Sequence, residues 1–282
     1  MIKRIFITVC VLCAVIIANA AQIDTIQVYS ASMKKNVETI VLLPSQRNLH
    51  RQASANELRK YPVVYLLHGA FGNAKSWLGI KPDLGRFADM YRVIIVCPDG
   101  QLSWYWDSPV NNDVRYETFI SSELINHIDS KYPTIADRNH RAITGLSMGG
   151  HGAMYNALRH HDVFGAVGSM SGGLDIRPFP QNWGMKDQLC EMAANKDTWD
   201  KHSAINQIDR IQNGDIAITI DCGEADFFLE VNKEFHQRLL GRGIDHDFTT
   251  RPGGHTSEYW NNSLDYHMLF FKKVFNKNTP RP

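Results

Sequence analysis

The stretch Arg141-Ala-Ile-Thr-Gly-Leu-Ser-Met-Gly-Gly-His-Gly-Ala153 decides how this chain is interpreted. A short apolar segment leads into Gly145-Leu-Ser-Met-Gly149, and a segment with helical character follows from Gly150. A G-x-S-x-G motif between a strand and a helix places its serine on a sharp, strained turn, where the two glycines let strand and helix pass closely. The N–H groups of the helix then point towards any anion formed beside Ser147. The alternative interpretation is a glycine-rich turn in an α/β core.

Apolar segments on both sides of this motif alternate with amphipathic ones. Tyr61-Pro-Val-Val-Tyr-Leu-Leu-His-Gly69 and Val93-Ile-Ile-Val-Cys97 are continuous apolar runs, typical of central parallel strands. Further strands are predicted over 164–170, 216–220 and 247–250, and helices over 82–91, 117–131, 150–159, 227–240 and 259–275. Strands that alternate with helices predict an α/β fold, with a mostly parallel central sheet and helices on both faces.

The N-terminal strands and one long irregular segment depart from this alternation. Residues 25–29 and 37–43 flank a short turn, and the second run ends at Pro44, which predicts an N-terminal antiparallel edge pair. Residues 172–213 lack regular periodicity, and we interpret them as an insertion with short helices over the carboxyl edge of the sheet. Residues 21–282 are therefore expected to form one domain.

The first residues have the pattern of a secretory leader. A short basic start precedes an apolar run from Ile5 to Ile17, and Ala18-Asn-Ala20 follows. This predicts a signal peptide over residues 1–20, cleaved after Ala20, because the run is too short to span a membrane comfortably. A retained anchor is the alternative. The mature protein is expected to be periplasmic or secreted, without stable membrane insertion.

The composition of the chain excludes several classes of function. The 282 residues carry a net charge of +1 without a basic cluster, so a nucleic-acid partner is not expected. Two of the five cysteines lie in the leader, which leaves Cys97, Cys190 and Cys222. Cys97 and Cys222 lie in strand-like runs and are predicted to be buried free thiols. One disulfide among the three cysteines is the alternative interpretation. His160-His161 is a surface-type pair, and no metal-ligand pattern is found in the sequence. The sequence does not indicate the oligomeric state.

A serine nucleophile needs a base and an acid that orients the base, and both must lie at the carboxyl ends of the strands. Among the twelve histidines, His255 fits, because it follows the last predicted strand in a glycine-rich loop. His140 precedes the Ser147 strand and lies at the wrong end, and His151 begins the following helix. We expect the histidines that lie in or at the ends of helical segments to be solvated. These are His127, His160, His161, His236 and His267.

The acid is sought after the strand that precedes His255. Asp226 lies in the loop beyond that strand and is preferred, whereas Asp221 still lies on the strand and Glu224 is a third candidate. A solvated carboxylate that caps the next helix is the alternative role for Asp226. The chain order Ser147, Asp226, His255 is the order of the α/β-hydrolase fold.

Two backbone amides and several aromatic residues complete the predicted site. His68-Gly-Ala-Phe-Gly72 follows a central strand, so the amides of Ala70 and Met148 are the candidate oxyanion donors, and His68 is expected to shape this loop by packing. Three consecutive aromatic residues cannot all be buried by one strand face, so at least one of Trp104, Tyr105 and Trp106 is expected to face the site. Packing of loops on the sheet is the alternative. The candidate lining residues of an acyl or sugar pocket are Trp77, Trp104, Trp106 and Trp183.

With these residues in place, the sequence resembles the putative-esterase (esterase D-like) family of α/β-hydrolases. That family is similar to the feruloyl and acetyl-xylan esterases of carbohydrate esterase family 1, to S-formylglutathione hydrolases, to tributyrin-type esterases and to mycolyl transferases. The resemblance covers about residues 37–275. Its motifs are Tyr65-Leu-Leu-His-Gly69, Ser103-Trp-Tyr-Trp-Asp-Ser-Pro109, Gly145-Leu-Ser-Met-Gly-Gly150, Ser169-Met-Ser-Gly172, Asp221-Cys-Gly-Glu-Ala-Asp226 and Gly253-Gly-His-Thr256.

The resemblance implies a serine esterase without a cofactor. It implies Ser147 as nucleophile, His255 as base and Asp226 as acid, with the Ala70 and Met148 amides as oxyanion donors. The implied substrates are small-molecule or oligosaccharide esters, with acetyl or feruloyl groups on plant-type saccharides. An acyltransferase or a thioesterase with the same triad remains an alternative, and so does a carbohydrate-binding protein without catalysis.

Overall fold

The computed structural model describes residues 21–45 and 60–278. The predicted signal peptide over residues 1–20 lies outside the described residues. An eight-stranded sheet forms the centre of the described chain. Its strands are β1 (Gln22–Ser30), β2 (Lys35–Leu43), β3 (Val63–Leu67), β4 (Ile94–Pro98), β5 (Arg141–Gly145), β6 (Ala166–Met170), β7 (Ala217–Gly223) and β8 (Asp247–Arg251).

The strand order in the sheet is β1-β2-β4-β3-β5-β6-β7-β8. The β1–β2 and β2–β4 pairs are antiparallel, and every pair from β4 to β8 is parallel. The parallel strands therefore end at one common edge, where the loops after β3, β5, β7 and β8 meet. The predicted α/β-hydrolase fold, with a mostly parallel sheet and an antiparallel edge pair, is confirmed.

Helices cover both faces of the sheet. Alternate residues of β3 enter two separate cores, with Tyr65 on one face and Val64 on the other. Apolar side chains of the helices Leu124–Lys131, Met148–Arg159 and Leu229–Gly241 pack on the first face, and those of Ser76–Ile80, Leu84–Tyr91 and Ser257–Asn278 pack on the second. The helices are α1 (Ser76–Ile80), α2 (Leu84–Tyr91), α3 (Tyr116–Thr118), α4 (Leu124–Lys131), α5 (Met148–Arg159), α6 (Lys186–Leu189), α7 (Lys196–His202), α8 (Leu229–Gly241) and α9 (Ser257–Asn278).

Most predicted elements are present, with shifted bounds. The helix predicted over 117–131 is interrupted, because a π-helical turn at Phe119–Glu123 joins α3 to α4. Residues 172–213 contain α6, α7 and two 3₁₀ segments, Met192–Ala194 and Ala204–Arg210. The second of these segments is joined to the residues after β6 by the hydrogen bond from Ile205 N–H to the Leu174 carbonyl, 2.8 Å.

The three cysteines of the described residues are free thiols, and Cys97 and Cys222 are buried as predicted. Burial raises the pKa of both thiols far above the usual range, so they stay protonated. Within residues 21–45 and 60–278, no helix has the length and apolarity needed to cross a bilayer. The same residues contain no group of three or more His, Cys, Asp or Glu side chains arranged to hold a metal ion.

Candidate active site

Ser147 lies on the turn between β5 and α5. Ser147 is buried. Its backbone has φ 55° and ψ −119°, outside the regions that L-residues favour. A side chain at Gly149 would place its Cβ 2.5 Å from the carbonyl oxygens of Leu67 and His68, and one at Gly145 would collide with Gly149. The glycines of the motif are thus required because strand β3, the turn and helix α5 approach within contact distance of each other.

Ser147, His255 and Asp226 form one continuous chain of hydrogen bonds. The Nε2 atom of His255 lies 2.9 Å from Ser147 Oγ. On the other side of the ring, Nδ1 lies 2.9 and 3.1 Å from the two carboxylate oxygens of Asp226. The Asp226 side chain is fully buried, whereas that of His255 is 17% exposed. The structure therefore brings together the three residues that the sequence predicted as a triad.

The loops that hold Asp226 and His255 are joined by backbone hydrogen bonds. Ala225 N–H donates to the Gly253 carbonyl at 2.8 Å, and Glu224 N–H donates to the Arg251 carbonyl at 2.9 Å. Asp226 Oδ1 also accepts from Phe228 N–H at 2.8 Å, which fixes the carboxylate at the start of α8. Asp226 is thus buried and bonded just before α8, and α8 has no side-chain cap, so the alternative role of a solvated capping carboxylate is not observed.

The two other acid candidates have different surroundings. Glu224 is exposed. Asp221 is buried at the carboxyl end of β7 and accepts hydrogen bonds from Tyr259, Ser263 and Arg251. Burial raises the pKa of Asp221, although these three partners act in the opposite direction. Neither residue contacts the imidazole of His255 through a hydrogen bond within the described chain.

The predicted oxyanion donors lie beside Ser147. Met148 is the first residue of α5, so its N–H has no partner within the helix. The chain before Ala70 passes close to the serine, since a Cβ at Gly69 would lie 3.3 Å from Ser147 Cβ. Across the described residues, neither the Ala70 nor the Met148 amide donates a hydrogen bond to a protein group. Both amides are thus available to an oxygen atom bound next to Ser147 Oγ.

His68 fixes the loop that contains Ala70. Its Nε2 accepts from Gly100 N–H at 2.8 Å, which assigns the proton to Nδ1, and Nδ1 donates to the Gly69 carbonyl at 2.8 Å. The ring is buried and makes an edge contact with Tyr105. The expected packing role of His68 therefore has a specific form, because it joins the loop after β3 to the loop after β4.

A cleft of about 470 Å³ opens at Ser147. Phe71 and Phe227 are exposed at its rim, 79% and 52% respectively. His255 is the one titratable side chain among its described lining residues. These lining residues are Gly69, Ala70, Phe71, Gly72, Ser76, Ile80, Leu146, Ser147, Trp183, Phe227, His255 and Trp260.

Of the four tryptophans expected to line the pocket, the structure places Trp183 in the cleft and corrects the other three. Trp77 is fully buried on the α1 face of the sheet, where its indole N–H donates to the Leu67 carbonyl at 2.9 Å. Trp104 and Trp106 are also buried, at most 1% exposed, and stack on each other with ring centroids 5.9 Å apart. Tyr105 is buried as well, so none of the three consecutive aromatic residues lines the cleft.

The burial of this aromatic segment follows from its backbone. Trp104 and Tyr105 both have positive φ, 55° and 60°. The segment is therefore not a strand, and the alternation of strand side chains does not apply to it. Tyr105 packs against the glycine face of α5, because a Cβ at Gly152 would lie 2.4 Å from its ring.

Several residues of the site region were missed or misplaced by sequence reasoning. Phe227 and Trp260 line the cleft but were not predicted, although Phe227 directly follows Asp226 in the chain. His267 was expected to be solvated and is in fact buried between α9 and the sheet, with Nδ1 2.9 Å from Thr144 Oγ1. Burial lowers its pKa to about 3, so the ring stays neutral.

A larger cleft of about 850 Å³ lies at the carboxyl-terminal end of α5. It contains none of the three residues of the hydrogen-bond chain. Its charged groups pair with one another, as Arg159 does with Glu117 at 2.7 Å and Arg177 with Asp200 at 2.9 Å. The first pair joins α5 to the residues before the π turn, and the second lies within the segment 172–213, so the cleft has a structural explanation.

Comparisons with known proteins identify esterases among the proteins similar to this chain. An acetyl esterase of Caldicellulosiruptor saccharolyticus is 26% identical over 265 residues, which cover 88% of this chain and 97% of that protein. A solved ferulic acid esterase is 29% identical with a TM-score of 0.74, and the match covers 90% of this chain and 99% of that chain. An S-formylglutathione hydrolase of Staphylococcus aureus (19% identical, TM-score 0.77, covering 89% of this chain and 99% of that chain) shares the fold.

A family model provides the assignment. The model described as "Putative esterase" matches residues 30–271, which include every residue of the hydrogen-bond chain and both candidate oxyanion donors. The match confirms the resemblance found in the sequence motifs. The chain therefore belongs to the putative-esterase family and is an esterase of the α/β-hydrolase fold.

Proposed function

We propose that this protein is a serine carboxylester hydrolase in which Ser147 is the nucleophile. The observation that carries the proposal is the continuous hydrogen-bond chain from Ser147 Oγ through the His255 ring to the buried Asp226 carboxylate. A buried carboxylate on Nδ1 holds the ring so that Nε2 can accept the serine proton, and it stabilises the imidazolium that results. The arrangement of groups is that of a serine-hydrolase triad.

The proposed reaction has two halves. Ser147 Oγ attacks the ester carbonyl while His255 Nε2 takes its proton, and the Ala70 and Met148 amides donate to the oxyanion. His255 then gives this proton to the departing alcohol, which leaves an acyl group on Ser147. In the second half, His255 removes a proton from water, and the resulting attack releases the carboxylic acid and restores the serine.

The proposed substrates are acetyl or feruloyl esters of plant-type saccharides or related small esters. Two observations support this choice, namely the relatives described as an acetyl esterase and as a ferulic acid esterase. The cleft volume of about 470 Å³ lies within the range of small-molecule sites.

We further propose that residues 1–20 direct the chain out of the cytoplasm, so that the enzyme acts as a periplasmic or secreted protein. Amino-terminal sequencing of protein from the periplasm or medium tests this, because it should start at Ala21.

The test of the proposed activity compares the protein starting at Ala21 with its Ser147→Ala, His255→Ala and Asp226→Ala variants on acetyl, butyryl and feruloyl esters of one alcohol. Loss of Ser147 or His255 should lower kcat by about a million-fold, and loss of Asp226 by somewhat less. A fluorophosphonate probe should label the parent protein and not Ser147→Ala. A Ser147→Ala protein that retained more than about a hundredth of the activity would overturn the assignment.

A further inference from the structure

The proposed chemistry fixes which part of an ester lies beside His255. The proton on Nε2 must pass to the alcohol oxygen as the C–O bond breaks, so the alcohol has to stand within hydrogen-bond reach of that atom. Side chains packed on the His255 ring and open to the cleft therefore contact the alcohol and not the acyl group. This step rests on the proposed function.

Phe227 is the side chain that meets this condition most fully. Its ring centroid lies 4.3 Å from that of His255, and yet 52% of the residue is exposed. Trp183 lies beside it, with centroids 5.9 Å apart and ring planes only 20° from parallel. At this distance the two planes are nearly parallel but offset, so the rings form a stacked aromatic pair next to the base, which we name the Phe227–Trp183 face.

The Phe227–Trp183 face is held rigidly from behind. Trp183 packs against Trp104, Phe179 and Phe228, with ring centroids 5.4 to 5.8 Å apart. Phe228 in turn contacts the His255 ring at 5.5 Å, so the base and the aromatic face share one packed cluster. No acceptor for the indole N–H of Trp183 is found among residues 21–45 and 60–278, which leaves a donor for a ligand hydroxyl.

The charge of the cleft restricts the alcohol further. No lysine, arginine, aspartate or glutamate is among the described residues that line it. A leaving group with carboxylates, such as the glutathione of a glutathione thioester, would find no cation there and would lose hydration without compensation. An exposed aromatic face with one free donor instead suits an uncharged ring that has a C–H face and hydroxyl groups.

We propose that the Phe227–Trp183 face is the alcohol subsite of this esterase and that it binds the pyranose ring of an acylated sugar. The C–H face of the sugar packs on the Phe227–Trp183 face, and a hydroxyl accepts a hydrogen bond from the Trp183 indole N–H. The sugar is present only until the acyl-enzyme forms. The subsite therefore contributes to acylation and not to deacylation, in which water replaces the alcohol.

The experiment keeps the acyl group constant and varies the alcohol. Acetylated methyl xylopyranoside, ethyl acetate and S-acetylglutathione are compared as substrates of the protein starting at Ala21 and of its Phe227→Ala, Phe227→Tyr and Trp183→Ala variants. Tyr29→Ala is the control, because Tyr29 is 61% exposed on β1, remote from the cleft. Fluorophosphonate labelling and a thermal midpoint report whether each variant retains the folded site.

We expect the parent protein to prefer the sugar acetate to ethyl acetate in kcat/KM. Phe227→Ala and Trp183→Ala should each lower this preference by about tenfold, while Phe227→Tyr and Tyr29→Ala keep it. Pre-steady-state kinetics should show that the loss lies in acylation. An equal loss on both oxygen esters, an unchanged preference, or a preference for S-acetylglutathione would overturn the subsite. A parent protein that the probe does not label would instead overturn the proposed function, and the subsite with it.

Discussion

Asp221 and Arg251 form an ion pair that joins the carboxyl ends of β7 and β8. The carboxylate also accepts from the hydroxyl groups of Tyr259 and Ser263 on α9, the latter at 3.1 Å. Arg251 precedes the loop that contains His255, and α9 follows it. One buried carboxylate therefore holds both ends of the loop that positions the base.

Replacing Asp221 should change catalysis without changing the cleft. In Asp221→Asn the charge that holds Arg251 is lost, the His255 loop is less well fixed, and kcat should fall by about tenfold with KM within about twofold of the parent. Stability should fall by about 3 kcal/mol, because Arg251 is left without its counter-charge. Steady-state kinetics and urea unfolding measure the two effects.

The matched control for Asp221 is Asp129→Asn. Asp129 pairs with Arg141 at 2.7 Å in a similarly buried pair, at the end of the sheet where β5 begins. This variant should lose comparable stability and keep its kcat. If the two variants lowered kcat equally, Asp221 would act through general stability alone.

The glycines give a prediction about folding. Gly149→Ala places a methyl group 2.5 Å from two backbone oxygens that cannot move aside. The free energy of unfolding of this variant should therefore fall by more than about 3 kcal/mol, or the variant should fail to fold. Gly241→Ala at the end of α8 meets no atom within 4 Å and should gain up to about 1 kcal/mol. Thermal unfolding of the two variants checks this, and a Gly149→Ala protein with parental stability would contradict the described packing.

His68 is expected to act on the proposed oxyanion donors from a distance. His68→Leu removes the bonds to Gly100 and Gly69, and the resulting shift of the Ala70 amide should lower kcat by about 100-fold with little change in KM. His267→Leu, equally buried at 1% exposure, is the control and should lose stability without this loss of kcat. Parental kcat in a folded His68→Leu protein would refute the role.

Glu117 should make stability depend on pH. Burial alone would raise its pKa, but hydrogen bonds and charge from His160 and Arg159 outweigh burial and lower the pKa from 4.5 to about 2. Because the pKa of Glu117 is lowered in the folded state, the contribution of this residue to the free energy of unfolding is complete above about pH 4.5. As the pH falls towards 2, this contribution is lost, by up to about 3 kcal/mol. Glu117→Gln should unfold with a flatter pH dependence between these values. If the unfolding free energy of both proteins changed equally with pH, the lowered pKa of Glu117 would be contradicted.

The sequence predicted the sheet and the triad geometry because both depend on order along the chain. Continuous apolar runs identified β3 and β4, and the rule that parallel strands end at one edge selected His255 among the histidines. The positions of Ser147, Asp226 and His255 in loops after strands then placed all three at one edge of the sheet. The oxyanion loop followed from the same rule.

The aromatic residues could not be placed in this way. Trp104 and Tyr105 adopt positive φ, which no local pattern indicated, and the resulting turn directs the whole segment into the core. Trp77 and His267 lie on helices whose buried faces depend on tertiary packing. Phe227 lies in the loop before α8 and Trp260 in the first turn of α9, and both reach the cleft only because these segments pack around His255. Such contacts are decided by tertiary structure and not by sequence spacing.

The strand order has a consequence for how activity returns after denaturation. Ser147 follows β5, while Asp226 and His255 follow β7 and β8, and β6 separates these strands in the sheet. Helices form rapidly from local contacts, whereas parallel strands pair across long stretches of chain and do so slowly. The recovery of ester hydrolysis should therefore lag behind the recovery of helical circular dichroism, since the three groups meet only when the last parallel pairs have closed.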